Sequence, residues 1–214
     1  AYLLLARSAL NEDDCDTAGW ATEEYGLRGG SPVMFATLRA EMALRRGDDD
    51  QALQEASAAV ARAPERASVR EQLVRVRLVT GEVGEASRLA AEAVQLKGAG
   101  ALAAGLAALD MLDHADSRAA RRLFSSERGG DALACTHAHA AQALITALSR
   151  DRADEARAFA VTGLREALDL PAWAARPHIL ERLADVYAHS LELAPPAETD
   201  DGTTAEELLA ELQD

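Results

Sequence analysis

A chain of 214 residues, 49% of them apolar, has ample material for a core, so extended disorder is excluded. Asp and Glu total 36 against 22 Lys and Arg, and the net charge of −14 repels phosphate backbones and anionic lipid, which excludes a free-standing nucleic-acid binder. Aromatic residues make up only 4%, so the buried surfaces must be built from small side chains, as they are where helix packs closely on helix.

Apolar residues recur at helical period along most of the chain, and turn formers punctuate them. Helices are predicted over residues 1–10, 14–27, 32–45, 49–62, 67–79, 83–96, 101–112, 117–126, 132–148 and 153–168, pairing as antiparallel hairpins. No segment has the alternation of a strand. The run from Pro171 to Leu193 gives an eleventh helix that starts or kinks at Pro177 and, carrying large aromatics and charge, is expected to serve as a terminal cap. Residues 195–203 read as an acidic, Pro-containing linker between a helical domain over 1–194 and a short amphipathic helix over 204–214. The apolar edge of that last helix, Leu208, Leu209 and Leu212, is expected to dock, either on its own chain or by self-association with another.

The helices follow an internal period. Gly47, Ala52, Ala56, Ala59 and Pro64 mark one unit, and a shift of 34 residues leads to Gly81, Ala86, Ala90, Ala93 and Gly98. A further shift gives Ala115 and Ala120 but fails by Glu127, and the backward shift gives Asp13, Ala18, Thr22, Tyr25 and Gly30. These markers resemble the tetratricopeptide repeat, whose unit carries a turn and small residues at the places held by Gly47, Ala52, Ala59 and Pro64, and Ala6, Ala40 and Ala108 match its small first-helix position. The resemblance covers residues 1–170 as about five units and implies an all-α, right-handed superhelix of stacked hairpins.

Strings that suggest chemistry are few. Gly98-Ala-Gly100-Ala-Leu-Ala103 matches a dinucleotide fingerprint as letters only, since no strand precedes it, and reads as a turn between helices. Cys135-Thr-His137-Ala-His139 has metal-ligand residue types, but two ligands at i,i+4 do not make a site, so packing or groove lining is expected. No cofactor, metal or catalytic residue is therefore assigned. Cys15 and Cys135 stand alone, the longest uncharged run is far short of the roughly 20 residues that span a bilayer, and no basic leader opens the chain, a pattern that fits a cytoplasmic protein with no membrane partner.

What the resemblance implies about function is a concave groove lined by the first helix of each unit. It places Met34, Ser68 and Leu102 at one groove position, Thr37, Glu71 and His139 at a second, and Arg7, Glu41, Arg75 and Leu109 at a third. Arg7, Glu41 and Arg75 would form a charged ladder for a peptide or partner protein, and Arg75→Ala would leave stability nearly unchanged. The Lys and Asn pattern that grips chaperone tails is absent. Ala- and Arg-rich arrays also resemble repeat regions of bacterial multidomain transcriptional and signalling regulators, so a sensor or oligomerisation arm is the alternative to a binding scaffold. The start in mid-helix without Met is what a fragment of such a regulator would show.

Overall fold

The computed structural model describes residues 1–123, 130–149, 152–194 and 204–213. Among these the regular structure is entirely helical. In chain order the helices are α1 (Tyr2–Asn11), α2 (Cys15–Leu27), α3 (Pro32–Arg46), α4 (Asp49–Arg62), α5 (Ala67–Val79), α6 (Val83–Ala93), α7 (Ala101–Asp113), α8 (Ser117–Leu123), α9 (Ala132–Ala147), α10 (Ala153–Leu168), α11 (Pro177–Leu193) and α12 (Ala205–Gln213). The linker predicted over 195–203 and the predicted end of α8 at 124–126 lie outside the described residues. Helix α6 ends three residues before the predicted Leu96, because Gln95 and Leu96 bond back to Glu92 and Ala93 in a turn that leads to left-handed Gly98.

Acidic residues at helix starts act as caps. Asp14, Asp48, Asp116 and Asp131 each accept the backbone N–H three residues on, at 3.0, 3.1, 2.9 and 3.0 Å. Thr204 and Glu207 form a reciprocal capping box at the head of α12. Much of the negative charge is thus used locally at helix termini.

The turn joining the two helices of a hairpin recurs with the sequence period. Residues 13, 47, 81 and 115 all have left-handed backbone, with φ of 57° at Asp13, 73° at Gly47, 88° at Gly81 and 60° at Ala115. The residue after each donates to the carbonyl five residues earlier: Asp14 to Ala9, Asp48 to Ala43, Glu82 to Arg77 and Asp116 to Met111, at 2.8–2.9 Å. Ala115 holds this conformation against its Cβ, so Ala115→Gly should raise stability by about 1 kcal/mol in urea denaturation.

Sequential helices pack in pairs, and each odd-numbered helix from α1 to α9 also touches the next odd one, as α9 touches α11. Small residues permit this: Ala52, Ala56, Ala59, Ala86, Ala90 and Ala93 on α4 and α6 are all fully buried. One apolar core runs from Ala40 on α3 to Leu212 on α12, and a smaller one joins α1 and α2 to Leu38 and Met42 of α3. Helix α11, expected as the cap, is itself covered. Helix α12 lies across α10 and α11, buries Leu208 and Leu212, and is held by a bidentate Arg157–Glu206 pair at 2.8 Å. The tail therefore docks on its own chain.

Candidate functional site

The charged residues expected on the groove are partly brought together and partly absorbed by the fold. Glu41 on α3 and the partner of Arg75, Asp131 at the head of α9, line a recess of about 320 Å³. The end of α1 contributes Leu10 and Asn11, the following turn Asp13, α3 also Arg45, the first turn of α9 Ala132 and Leu133, and the α10–α11 connector Pro171 and Trp173.

Arg45 organises this recess. Its side chain is only 8% exposed, Nη1 donates to Glu41 Oε1 at 3.0 Å, Nε lies 3.4 Å from Asp13 Oδ1, and the guanidinium stands 5.0 Å from the Trp173 ring centroid. Its Nε makes no hydrogen bond among the described residues. Arg75 Nη2 meets Asp131 Oδ2 at 2.6 Å and Nη1 donates to Gln72 Oε1 at 3.0 Å, so α5 is tied to the head of α9. The Arg75 side chain is 14% exposed but that of Asp131 is 41% exposed, so in Arg75→Ala the carboxylate stays in water and keeps its bond to the Ala134 N–H, and a small change in stability remains the expectation.

The α10–α11 connector fills the side of the recess that an open groove would leave free. Arg176 Nη2 reaches Asp49 Oδ1 at 3.2 Å, His178 Nε2 donates to the Leu78 carbonyl at 2.8 Å, and Ala174 is fully buried. Residues 171–178 thus sit against the ends of α3 and α5. Pairings over 127 and 100 residues of chain leave no local signal in the sequence.

The remaining predicted residues are dispersed. Leu102 and Leu109 are core residues of α7, buried by its contacts with α6, α8 and α9. Ser68 is exposed on the first turn of α5, and Met34 Sδ accepts from Arg66 at 3.8 Å. Thr37 donates to its own helix at Val33, and Arg7 is exposed, with no ion pair among the described residues. Glu71 has a structural role. Its carboxylate accepts from the N–H groups of Gly100 and Leu102 at 3.1 Å and of Ala103 at 3.4 Å, capping α7 from α5. A Cβ on Gly100 would stand 2.3 Å from that carboxylate, which explains the second glycine of the Gly98-Ala-Gly100 turn. Glu71→Ala should lower stability by roughly 1–3 kcal/mol, read as an unchanged urea slope with a lower midpoint.

The Cys135–His139 stretch separates into three environments. His139 Nδ1 donates to Glu166 Oε2 at 2.7 Å and stacks on Phe159, with ring centroids 6.3 Å apart, so it faces α10 and lies apart from the recess. Cys135 Sγ donates to the Gly130 carbonyl, and burial, followed by the charges of Glu166 and Asp131, raises its thiol, which keeps it protonated and a poor nucleophile. His137 is buried against α7, donates from Nδ1 to Leu133 at 2.8 Å, and leaves Nε2 without a partner among the described residues. Burial depresses its pKa to about 4. No group of three or more metal-ligating side chains forms among the described residues, and no helix among them is long and apolar enough to cross a membrane.

No model of a known protein family matches the chain. A search of curated proteins likewise finds no match.

Proposed function

We propose that this chain is a non-catalytic protein-interaction scaffold of the tetratricopeptide type, a right-handed stack of helical hairpins that works in the cytoplasm and holds a peptide or partner-protein segment. The supporting observation is the recess between α1, α3, the head of α9 and the connector, where Glu41, Arg45, Asp131 and Trp173 meet around about 320 Å³ of open space. Fixed charges at helix ends and one aromatic ring on the connector suit a side chain or turn of a partner, and such contacts set specificity and dissociation. The 34-residue recurrence of the left-handed turn and the contacts between successive odd helices favour the stacked-hairpin reading.

A photo-crosslinking residue in place of Ala132, exposed at the recess, tests this against one in place of Gln54 on the outer face of α4. The scaffold reading expects a discrete crosslinked polypeptide from Ala132 and none from Gln54. Equal labelling at both positions, or none at either, would count against it.

The alternative, an oligomerisation arm of a larger bacterial transcriptional or signalling regulator, has one observation in its favour. Of the six large apolar side chains left exposed among the described residues, four, Leu4, Leu5, Trp20 and Leu27, belong to the first hairpin, the others being Leu148 and Leu193.

A further inference from the structure

The first of the recurring left-handed turns departs from the others. Residues 47 and 81 are glycine and residue 115 is alanine, whereas Asp13 holds the same conformation, at φ 57°, and puts a carboxylate on the wall of the recess. That carboxylate, 67% exposed, makes no hydrogen bond among the described residues. Arg45 Nε stands 3.4 Å from it and has no hydrogen-bond partner either, although the Arg45 side chain is more than nine-tenths buried. An exposed acceptor and a buried donor are thus both left unspent at one place.

Counted after its ion pairs, the recess is negative. Glu41 is matched by Arg45 at 3.0 Å and Asp131 by Arg75 at 2.6 Å, which leaves Asp13 in excess. Arg7, one turn before Asn11 on α1, is exposed and makes no ion pair among the described residues. The two paired guanidiniums lie deeper than the carboxylates, so an incoming chain meets negative charge first, with the Trp173 ring beside it. About 320 Å³ admits one long side chain and is too small for a helix, which is about 10–12 Å across.

We propose that the recess takes an arginine side chain of the partner, its guanidinium paired with Asp13 and lying along the Trp173 ring. Arginine suits this place better than lysine, since its planar fork meets both oxygens of a carboxylate and stacks on an indole. As Asp13 turns to the incoming cation it uncovers Arg45 Nε, and a main-chain carbonyl of the same partner segment supplies the acceptor which that donor lacks. An anionic side chain would meet the carboxylates instead. This assignment deepens the scaffold reading and rests on it, since it names the group that the partner inserts.

The test uses the whole isotope-labelled chain and blocked tripeptides whose central residue is arginine, citrulline or glutamate, citrulline being the uncharged isostere of arginine. The chain has two tryptophans, so its indole N–H resonances give one signal at the recess, from Trp173, and one control on α2, from Trp20. The arginine peptide should shift the Trp173 signal saturably, with a dissociation constant of about 1–10 mM, and leave Trp20 in place. Citrulline should bind at least about tenfold more weakly, and glutamate more weakly still. Asp13→Asn keeps the left-handed turn, which asparagine tolerates, and should lose about tenfold of the arginine affinity. Asp16→Asn, outside the recess on α2, should lose none. Equal affinity for arginine and either other peptide, an unchanged affinity in Asp13→Asn, or no shift of Trp173 with arginine would overturn the proposal. A discrete crosslink at Ala132 alongside any of these failures would leave the scaffold reading standing.

Discussion

Gly105→Ala should lower the stability of the chain by roughly 3 kcal/mol. A Cβ at residue 105 would stand 2.8 Å from the His137 carbonyl carbon and 2.9 Å from the Ala138 nitrogen, and those atoms are backbone of α9 and cannot swing aside. The cause lies in composition. Residues 101–109 of α7 are buried throughout and all Ala, Gly or Leu, so α7 and α9 approach until main chain meets main chain. Thermal and urea unfolding of Gly105→Ala beside Gly84→Ala checks this. A Cβ at residue 84 meets nothing within 4 Å, so that variant should be neutral or slightly more stable.

The second large effect is a pH dependence seated in the same seam. His137 is buried with a pKa of about 4, against 6.5 in a free chain, because burial disfavours the imidazolium. The unfolded chain takes up the proton first as pH falls, so stability is fully present above about 6.5 and is lost progressively towards pH 4. The loss attributable to this group is roughly 3 kcal/mol, since a tenfold difference in proton affinity between the folded and unfolded chain is worth about 1.4 kcal/mol. Unfolding midpoints of the parent and His137→Gln across that window measure it. The parent should lose this much more stability than the variant between the two limits. Parallel curves would mean that other groups carry the acid sensitivity.

Most of the helical pattern was legible because it rests on local chemistry. Caps such as Asp48 and Asp131, left-handed Gly47 and Gly81, and Pro177 at the first turn of α11 act within a few residues, so their positions in the sequence carry the information. The place of α12 was legible in part: the edge of Leu208 and Leu212 announced docking, while Arg157, the partner of Glu206, lies 49 residues away. Of the residues that line the candidate site, the sequence pointed to Glu41 alone. Assigning groove positions by the repeat assumes that the concave side stays open. In this chain Glu71 turns to cap α7, Gly105 closes the α7–α9 seam, and Trp173 and Arg176 come from the α10–α11 connector to line and close the recess. None of these follows from periodicity, since each depends on a contact between elements distant in sequence.

Cohesion in this fold resides in the seams between small-residue helices, whereas the proposed recognition resides on the recess. Hydrogen-exchange mass spectrometry of the chain alone and saturated with the polypeptide crosslinked at Ala132 tests that division most directly. The predicted result is added protection at the end of α1, the end of α3, the head of α9 and residues 171–176, with global unfolding unchanged. Protection confined to α8, α10 and α12, or release of a chemically altered partner, would contradict the scaffold account.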